Sequence, residues 1–309
     1  MKSIDSAMIA VALVAAAVGG FGVSTGQAAP LASATVTEIK NEVLYKPAEG
    51  TERGAKVSDV VQGADVLRTG ERSLAEIEFS DKTITRLGSK SVFTFSAGTR
   101  EFHPGLGTTL IYMPKGLGGG RIVTSAITAA IQGTTVIVEE TETPPATPQA
   151  APRILSKVIF LEGNGTVTMT EKRGKCPIDS APIGAGQMIA QYTDDRCLNP
   201  VMDIDLQVLV KRSAIITGFA SPLASMPAIE AAVTQQRNEI QSGKLGEGGG
   251  NVYSPNPSTG SQGITDPPTA NPSTAQGNLT PVGGGFFISP RPVPGSQPIE
   301  GGGGYVVHP

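Results

Sequence analysis

Charged side chains are concentrated in one short stretch, AEIEFSDKTITRL (residues 75–87), which holds three carboxylates, a lysine and an arginine. Glu76 and Glu78 are two residues apart, so on a strand both would project from the same face. A glycoside hydrolase uses two such acids, whose carboxyl groups must converge on one cleft. Such a pair also needs an apolar pocket that raises the pKa of one acid. Because apolar residues alternate with these glutamates, we expect both to lie on a solvated outer face.

Other candidates for chemistry are few. The chain has two histidines, His103 in the turn-like EFHPG and His308 next to the last residue. After the first 28 residues it has no Gly-x-Ser-x-Gly nucleophile motif. The glycine-rich KGLGGGR (residues 115–121) lacks the Gly-Lys-Ser/Thr ending of a phosphate loop and runs into a strand-like segment, so we interpret it as a connection between two strands. We therefore predict no enzyme activity, no cofactor and no metal site.

The two cysteines, Cys176 and Cys197, are about twenty residues apart. In an oxidising compartment such a pair forms a disulfide, which stabilises by about 3 kcal/mol on the loop-entropy model. Two free thiols are an alternative. A metal site is a third alternative, although two thiols without a nearby histidine supply only two of the four ligands that zinc usually takes.

Composition excludes one class of partner. Among 309 residues the formal net charge is −3 and the sequence pI is about 5.5. Lys and Arg are scattered without runs, so the chain has no global attraction to a polyanion. We predict no nucleic-acid partner.

The first 28 residues have the pattern of a secretory signal peptide. Lys2 precedes an apolar run over residues 7–18, and small residues end at Ala28, where we expect cleavage. An uncleaved anchor is the alternative, since residues 7–23 are just long enough to span a bilayer. No later segment has the apolar length of a spanning helix, so we expect export to the periplasm or cell surface and no transmembrane segment after cleavage.

The rest of the chain is dominated by strand patterns. Ala75, Ile77 and Phe79 alternate with polar residues, and several similar short runs occur between residues 36 and 138. A Pro-rich segment then precedes a second block, and 27 of the 67 residues after position 242 are Gly or Pro. The expected organisation is a signal peptide at 1–28, a β domain at 34–140, a Pro-rich linker or long inserted loop at 141–152, a second β unit with a terminal helix at 153–242, and a disordered tail at 243–309.

Two local predictions concern the second block. KVIFLEG and GTVTMTEK indicate a hairpin centred on Gly163–Asn164–Gly165. One helix should follow, capped by Ser225, with Pro227 in its first turn and Gly243 at its end. Its apolar stripe, which should dock on a sheet, comprises Ile229, Val233, Gln236 and Ile240.

Residues 36–138 resemble the FecR-like periplasmic domain. The first block of the family pattern, a Gly-Asp-x-Leu-x-Thr-Gly segment followed by a Ser, an alternating strand and Arg-Leu-Gly, is matched by Gly63, Asp65, Leu67, Thr69, Gly70, Ser73, Ala75, Ile77, Phe79, Asp81, Arg86, Leu87 and Gly88. The second block is matched by Gly120, Thr124, Ala126 or Ala129, Gly133 and Thr134. The resemblance implies an all-β fold, either a β-sandwich or a short β-solenoid.

The motif residues are interpreted as architectural. Thr69-Gly70 and Gly133-Thr134 are typical of strand-end turns, in which Gly supplies a positive φ and Thr a local hydrogen bond. The family's Asp-Gly turn is Asp81-Lys82 here, and because Lys disfavours positive φ by roughly 1 kcal/mol, we expect a type I or bulged turn.

Members of this family include regulators that pass a signal from an outer-membrane iron-siderophore receptor through a membrane helix to a cytoplasmic sigma factor. The present sequence instead resembles the exported, free-standing form of the domain. The resemblance implies a non-enzymatic interaction or scaffold module of the cell envelope, whose partner is an envelope protein or surface polymer. The runner-up is a component of cell-surface signalling that acts through a separate membrane partner. A third hypothesis is an envelope hydrolase using Glu76, Glu78 or His103.

Overall fold

The structure is a computed structural model that describes residues 30–143, 152–171 and 174–245, together with the backbone of Gln297–Pro298 and Tyr305–Val306. The expected signal peptide, most of the Pro-rich segment and nearly all of the expected disordered tail lie outside these residues. The all-β prediction is confirmed, because the described chain consists mainly of two nine-stranded sheets.

The strands, numbered in chain order, alternate between the two sheets as the chain advances. The first sheet contains β1 (Ser33–Lys40), β4 (Val60–Gln62), β6 (Leu74–Phe79), β7 (Ile84–Leu87), β10 (Gly107–Tyr112), β13 (Thr135–Thr143), β14 (Arg153–Glu162), β17 (Gln187–Tyr192) and β18 (Met202–Asp203). The second contains β2 (Val43–Lys46), β3 (Arg53–Gly54), β5 (Val66–Thr69), β8 (Val92–Ser96), β9 (Glu101–Pro104), β11 (Gly120–Val123), β12 (Ile127–Ile131), β15 (Asn164–Met169) and β16 (Ser180–Gly184). Two short strands, β19 (Gln297–Pro298) and β20 (Tyr305–Val306), pair with each other.

The inward faces of the two sheets enclose a hydrophobic core. Ala75, Ile77 and Phe79 all belong to it, as the alternation in β6 predicts. The Phe79 ring meets Phe95 and Phe102 of the second sheet edge-on, with centroids 5.0 and 5.7 Å apart. Such T-shaped contacts add to the stabilisation that burial provides. The core is therefore formed by residues of both sheets.

The strands before and after the Pro-rich segment belong to the same sheets. β13 pairs antiparallel with β14 from Thr135–Glu162 to Thr143–Arg153, so the strands on either side of the Pro-rich segment are direct neighbours. Val167 and Ile183 of the second block share the core with the first block. The structure thus differs from the expected division into two β units. A proline cluster in a sequence predicts a break between strands because proline lacks an amide donor, but it does not predict whether the next strand joins the same sheet or another one.

The hairpin expected at Gly163–Asn164–Gly165 is wrong. β14 ends at Glu162 in the first sheet and β15 begins at Asn164 in the second sheet, so the two strands are not paired. Gly163, with φ of +75°, is where the chain crosses between the sheets. A Gly-rich turn between two strand patterns cannot distinguish a hairpin from such a crossover.

Among the described residues, three helices lie against the outer face of the first sheet. They are α1 (Leu206–Arg212), α2 (Ala214–Thr217) and α3 (Met226–Gln241), of which only α3 was predicted. Pro227 is in the first turn of α3, as expected, and Ile229 is buried against the sheet. The Ser225 hydroxyl does not cap the helix; it contacts the Thr135 hydroxyl at 2.7 Å instead.

This helical cover corrects the expectation for Glu76. Its carboxylate is buried and accepts a hydrogen bond from Nε of the fully buried Arg86 at 2.7 Å. Arg86 also donates to the carbonyl oxygens of Ile216 and Ser221, and its guanidinium lies 4.2 Å from the centroid of the Phe219 ring. The outward residues of β6 and β7 therefore face a helical layer, whereas Glu78 is one-third exposed and pairs with Lys82.

The disulfide prediction is confirmed. Cys176 and Cys197 are bonded, with Cα atoms 5.5 Å apart, and the bond links the β15–β16 connection to the β17–β18 connection. Among the residues that the structure describes, no helix has the length and apolar character needed to cross a membrane.

The turn at Asp81-Lys82 is of the expected bulged kind. The Phe79 carbonyl accepts from the Lys82 amide, and the Phe79 amide donates to the Thr83 carbonyl. Lys82 has φ of +69°, the position that a glycine usually fills in a three-residue hairpin loop. The Asp81 carboxylate accepts from the Thr83 amide at 2.9 Å, which holds the turn together.

Candidate binding surface on the second sheet

The two sheets differ in what covers their outer faces. The first is packed against helices, whereas no described element lies over the outer face of the second. Outward positions on its central strands are partly exposed and carry short polar side chains, among them Thr94, Thr128 and Thr168. The cross-strand register places Thr128 beside Thr168. This face, which we call the open face, carries hydroxyl groups at regular spacing.

A groove of about 680 Å³ crosses one end of the open face. Its lining includes Gly120, Ala130 and Gly165 on β11, β12 and β15; a Cβ on either glycine would point to the core, whereas the Ala130 side chain is exposed on the open face. Thr166 and Gln132 contribute polar side chains to its walls. Because the outward side chain at Ala130 is small, an extended chain can approach β12 closely here.

Charges at the groove are arranged in pairs. Arg121 Nη1 lies 3.1 Å from Glu101 Oε1 on the neighbouring parallel strand, and the Arg121 side chain is 58% exposed. Arg100 Nη1 contacts Asp81 Oδ2 at 2.8 Å, which ties the β6–β7 turn of the first sheet to the second sheet. The groove therefore presents both signs of charge together with amide and hydroxyl groups. That set of groups suits hydrogen bonding to a polar chain.

The residues of the hydrolase hypothesis do not converge. Glu76 lies beneath the helices on the first sheet, whereas His103 is on the open face of the second, where its Nε2 is 2.9 Å from the Ser96 hydroxyl. Within the described ranges, no three His, Cys, Asp or Glu side chains form a group that could hold a metal ion.

The FecR-like motif residues occupy structural positions and do not gather at the groove. Ala75, Ile77, Phe79 and Leu87 are core residues, and Arg86 contacts the helices. Eight others lie at turns, strand ends or closely packed sites beside them: Gly63, Thr69, Gly70, Asp81, Gly88, Thr124, Gly133 and Thr134.

The Thr-Gly pairs have partly different roles from those expected. The Thr69 hydroxyl accepts from the Ser91 amide at 2.8 Å, and the Thr134 hydroxyl donates to the Glu162 carbonyl, so both threonines bond to segments distant in sequence and not locally as expected. Gly133 has the expected positive φ of +59°. Gly70 does not have a positive φ. A Cβ at this position would lie 2.4 Å from Glu42 Oε2, so glycine is needed there for close packing.

Glu162 is a buried acid that sequence reasoning missed. Glu162 ends β14, is 3% exposed and borders a cavity beside α3. A usable signal existed, because residues 158–161 form a continuous apolar run, which is typical of a strand buried on both faces. An acid that directly follows such a strand has little access to solvent.

Comparison with known proteins gives little guidance beyond this geometry. No protein-family model matches the chain, and no curated protein matches it. Two crystal structures of candidate anti-sigma factors from Parabacteroides distasonis are similar to it. The first has a TM-score of 0.35 and 13% identity over 47% of this chain and 62% of that chain. The second has a TM-score of 0.33 and 11% identity over 50% and 70%, respectively. The chain thus spans less than two thirds of the first of these structures, and similarity at this level carries no functional argument.

Proposed function

We propose that this protein is an exported, non-enzymatic interaction module of the bacterial cell envelope. The observation that carries the proposal is the difference between its two sheets. One outer face is covered by helices, and the open face of the other has no described cover and contains a polar groove. An extended segment of an envelope protein is the partner that best fits this groove.

Main-chain hydrogen bonding supports this choice of partner. An extended segment repeats an amide donor and a carbonyl acceptor, and the groove supplies Thr166 and Gln132 side chains together with the paired Arg121 and Glu101 charges. A surface polymer is the competing ligand that the experiment must separate.

The non-enzymatic part of the proposal is supported by how the candidate acids are used. Glu76 is engaged by Arg86 and Thr37, and Glu78 by Lys82. His103 shares a hydrogen bond with Ser96 on an open surface. These partners account for each group that the hydrolase hypothesis requires.

The test is site-specific photocrosslinking in intact cells that express the full chain. A photoreactive residue at Thr166 in the groove should capture a discrete protein partner, whereas one at Lys211 on α1 should not. Ala130→Arg, which fills the groove, should abolish capture. Thr94→Arg places the same charge on the open face outside the groove and should leave capture intact.

Capture that is equal from Thr166 and Lys211, or that survives Ala130→Arg, would contradict the proposal. A protease-resistant, carbohydrate-containing adduct would identify a surface polymer. The alternative function, cell-surface signalling, derives from the sequence resemblance. Identification of the captured protein as a membrane-bound sigma-factor regulator or an iron-siderophore receptor would favour it.

A further inference from the structure

A second cavity, separate from the groove, lies between α3 and the turns that follow β14 and β16. Its volume is about 520 Å³. The wall from α3 presents the small side chains of Ala228, Ala231 and Ala232, and Glu162 lies on the opposite side. The cavity therefore combines an apolar wall with a buried acid.

The Glu162 carboxylate is incompletely satisfied. Its Oε1 accepts from the Thr135 hydroxyl at 3.1 Å, whereas its Oε2 is buried and has no hydrogen-bond partner. Lys115 Nζ forms a long ion pair with Oε2 at 3.7 Å, beyond hydrogen-bonding distance, and the Lys115 side chain is 73% exposed at the mouth of the cavity. A buried acceptor that lacks a donor typically costs about 1–3 kcal/mol. A ligand that donates to Oε2 would remove this cost.

The charges that line the cavity indicate whether that ligand is a cation or an anion. Its ionisable lining residues are the carboxylates of Glu162, Asp203 and Glu239 and the single ammonium of Lys115. Burial raises the pKa of Glu162, while the hydrogen bond from Thr135 and the charge of Lys115 act in the opposite direction. A cation beside Oε2 would favour the ionised carboxylate, and the excess of acids would attract it.

We propose that this cavity binds a primary alkylammonium group, with Glu162 Oε2 as its acceptor and the alanine face of α3 against its alkyl chain. The group can come from a small free amine or from a lysine side chain of a partner protein, since both present the same chemistry. The proposal is independent of the groove on the open face.

Isothermal titration calorimetry of the full chain with n-butylammonium chloride at pH 7.5 tests the proposal. Saturable binding is expected, and Glu162→Gln should weaken it roughly 10- to 100-fold, because a hydrogen bond to a charged group contributes about 1.5–3 kcal/mol. Glu230→Gln makes the same charge change on an exposed position of α3 outside the cavity and should leave the affinity unchanged. Ala228→Leu, which keeps Glu162 and extends a larger side chain into the cavity, should weaken binding.

Two further arms separate the sources and the alternatives. If a capped Gly-Lys-Gly peptide binds more tightly than n-butylammonium, the ligand is a lysine side chain of a partner. If n-butylammonium binds more tightly than the peptide, the ligand is a free amine. n-Butanol has a similar shape without the charge and should not bind. Equal affinity of wild-type and Glu162→Gln protein, with circular dichroism showing both folded, would overturn the proposal. Binding of n-butanol as tight as that of n-butylammonium would also do so.

Discussion

Asp65 connects three parts of the chain near the edge of the first sheet. Its carboxylate accepts from the Tyr45 hydroxyl at 2.7 Å and from the amides of Gln62 and Ala48, each at 2.8 Å. Burial acts to raise the pKa of Asp65, but these hydrogen bonds outweigh it and hold that pKa below its ordinary value. Burial, together with Asp65, raises the pKa of Tyr45 to about 12. The Asp of the FecR-like motif thus acts as an organiser of local structure.

The sign of the pKa shift at Asp65 gives a pH-dependent prediction. A carboxyl whose folded-state pKa is lowered contributes stability above its unfolded pKa of about 3.9 and loses it as the pH falls through the folded value. Asp65→Asn should therefore cost about 1–3 kcal/mol at pH 7, since an amide cannot accept from every present donor. The difference from wild type should shrink below about pH 4.

Urea denaturation of both proteins between pH 2.5 and pH 7 measures this difference. Glu49→Gln removes an exposed carboxylate from the same region and serves as the control, with little expected effect. A cost of Asp65→Asn that stays constant over the whole pH range would show that ionisation of Asp65 contributes nothing to folding.

At the level of elements, Arg86 holds the α2 region against the first sheet. Arg86→Met would leave Glu76 buried without its cation and the carbonyls of Ile216 and Ser221 without a donor. Breaking a buried ion pair in this way costs about 3–5 kcal/mol. We expect a loss of that size in urea denaturation, with faster hydrogen exchange over residues 214–221.

Two comparisons separate the ion pair from simple loss of a side chain. Replacing both members, Glu76→Leu with Arg86→Met, should recover much of the stability, because an apolar pair leaves no buried charge. Lys82→Met removes the exposed partner of Glu78 and should cost less than about 1 kcal/mol. A double variant that is less stable than Arg86→Met alone would contradict this account.

Strands β6 and β7 show which parts of the fold could be predicted from the sequence. Period-two alternation correctly placed Ala75, Ile77 and Phe79 in the core, because an inward face must be apolar. It could not reveal the helical cover, because the outward residues Glu76 and Arg86 are polar and satisfy each other. Polar residues that pair beneath a helix have the same sequence pattern as polar residues in water. Local pattern also does not encode which sheet a strand joins.

At the scale of the whole molecule, the shared sheets imply one cooperative unit. Phe79 in the first block and Phe160 in the second are both fully buried in the same core. Phe79→Ala and Phe160→Ala should each cost about 3–5 kcal/mol. Because β13 pairs with β14 across the Pro-rich connection, either substitution should lower a single unfolding transition that involves both blocks.

Hydrogen exchange near the transition midpoint can follow each block separately, with β10 reporting on the first and β17 on the second. Both strands should lose protection at the same denaturant concentration in wild type and in each variant. If Phe160→Ala instead exposed β17 while β10 stayed protected, the blocks would unfold independently. The Pro-rich segment would then separate two units despite the shared sheets. If β10 and β17 lose protection at the same denaturant concentration in all three proteins, the two blocks unfold together. A contact made in either block then stabilises both the open face and the Glu162 cavity.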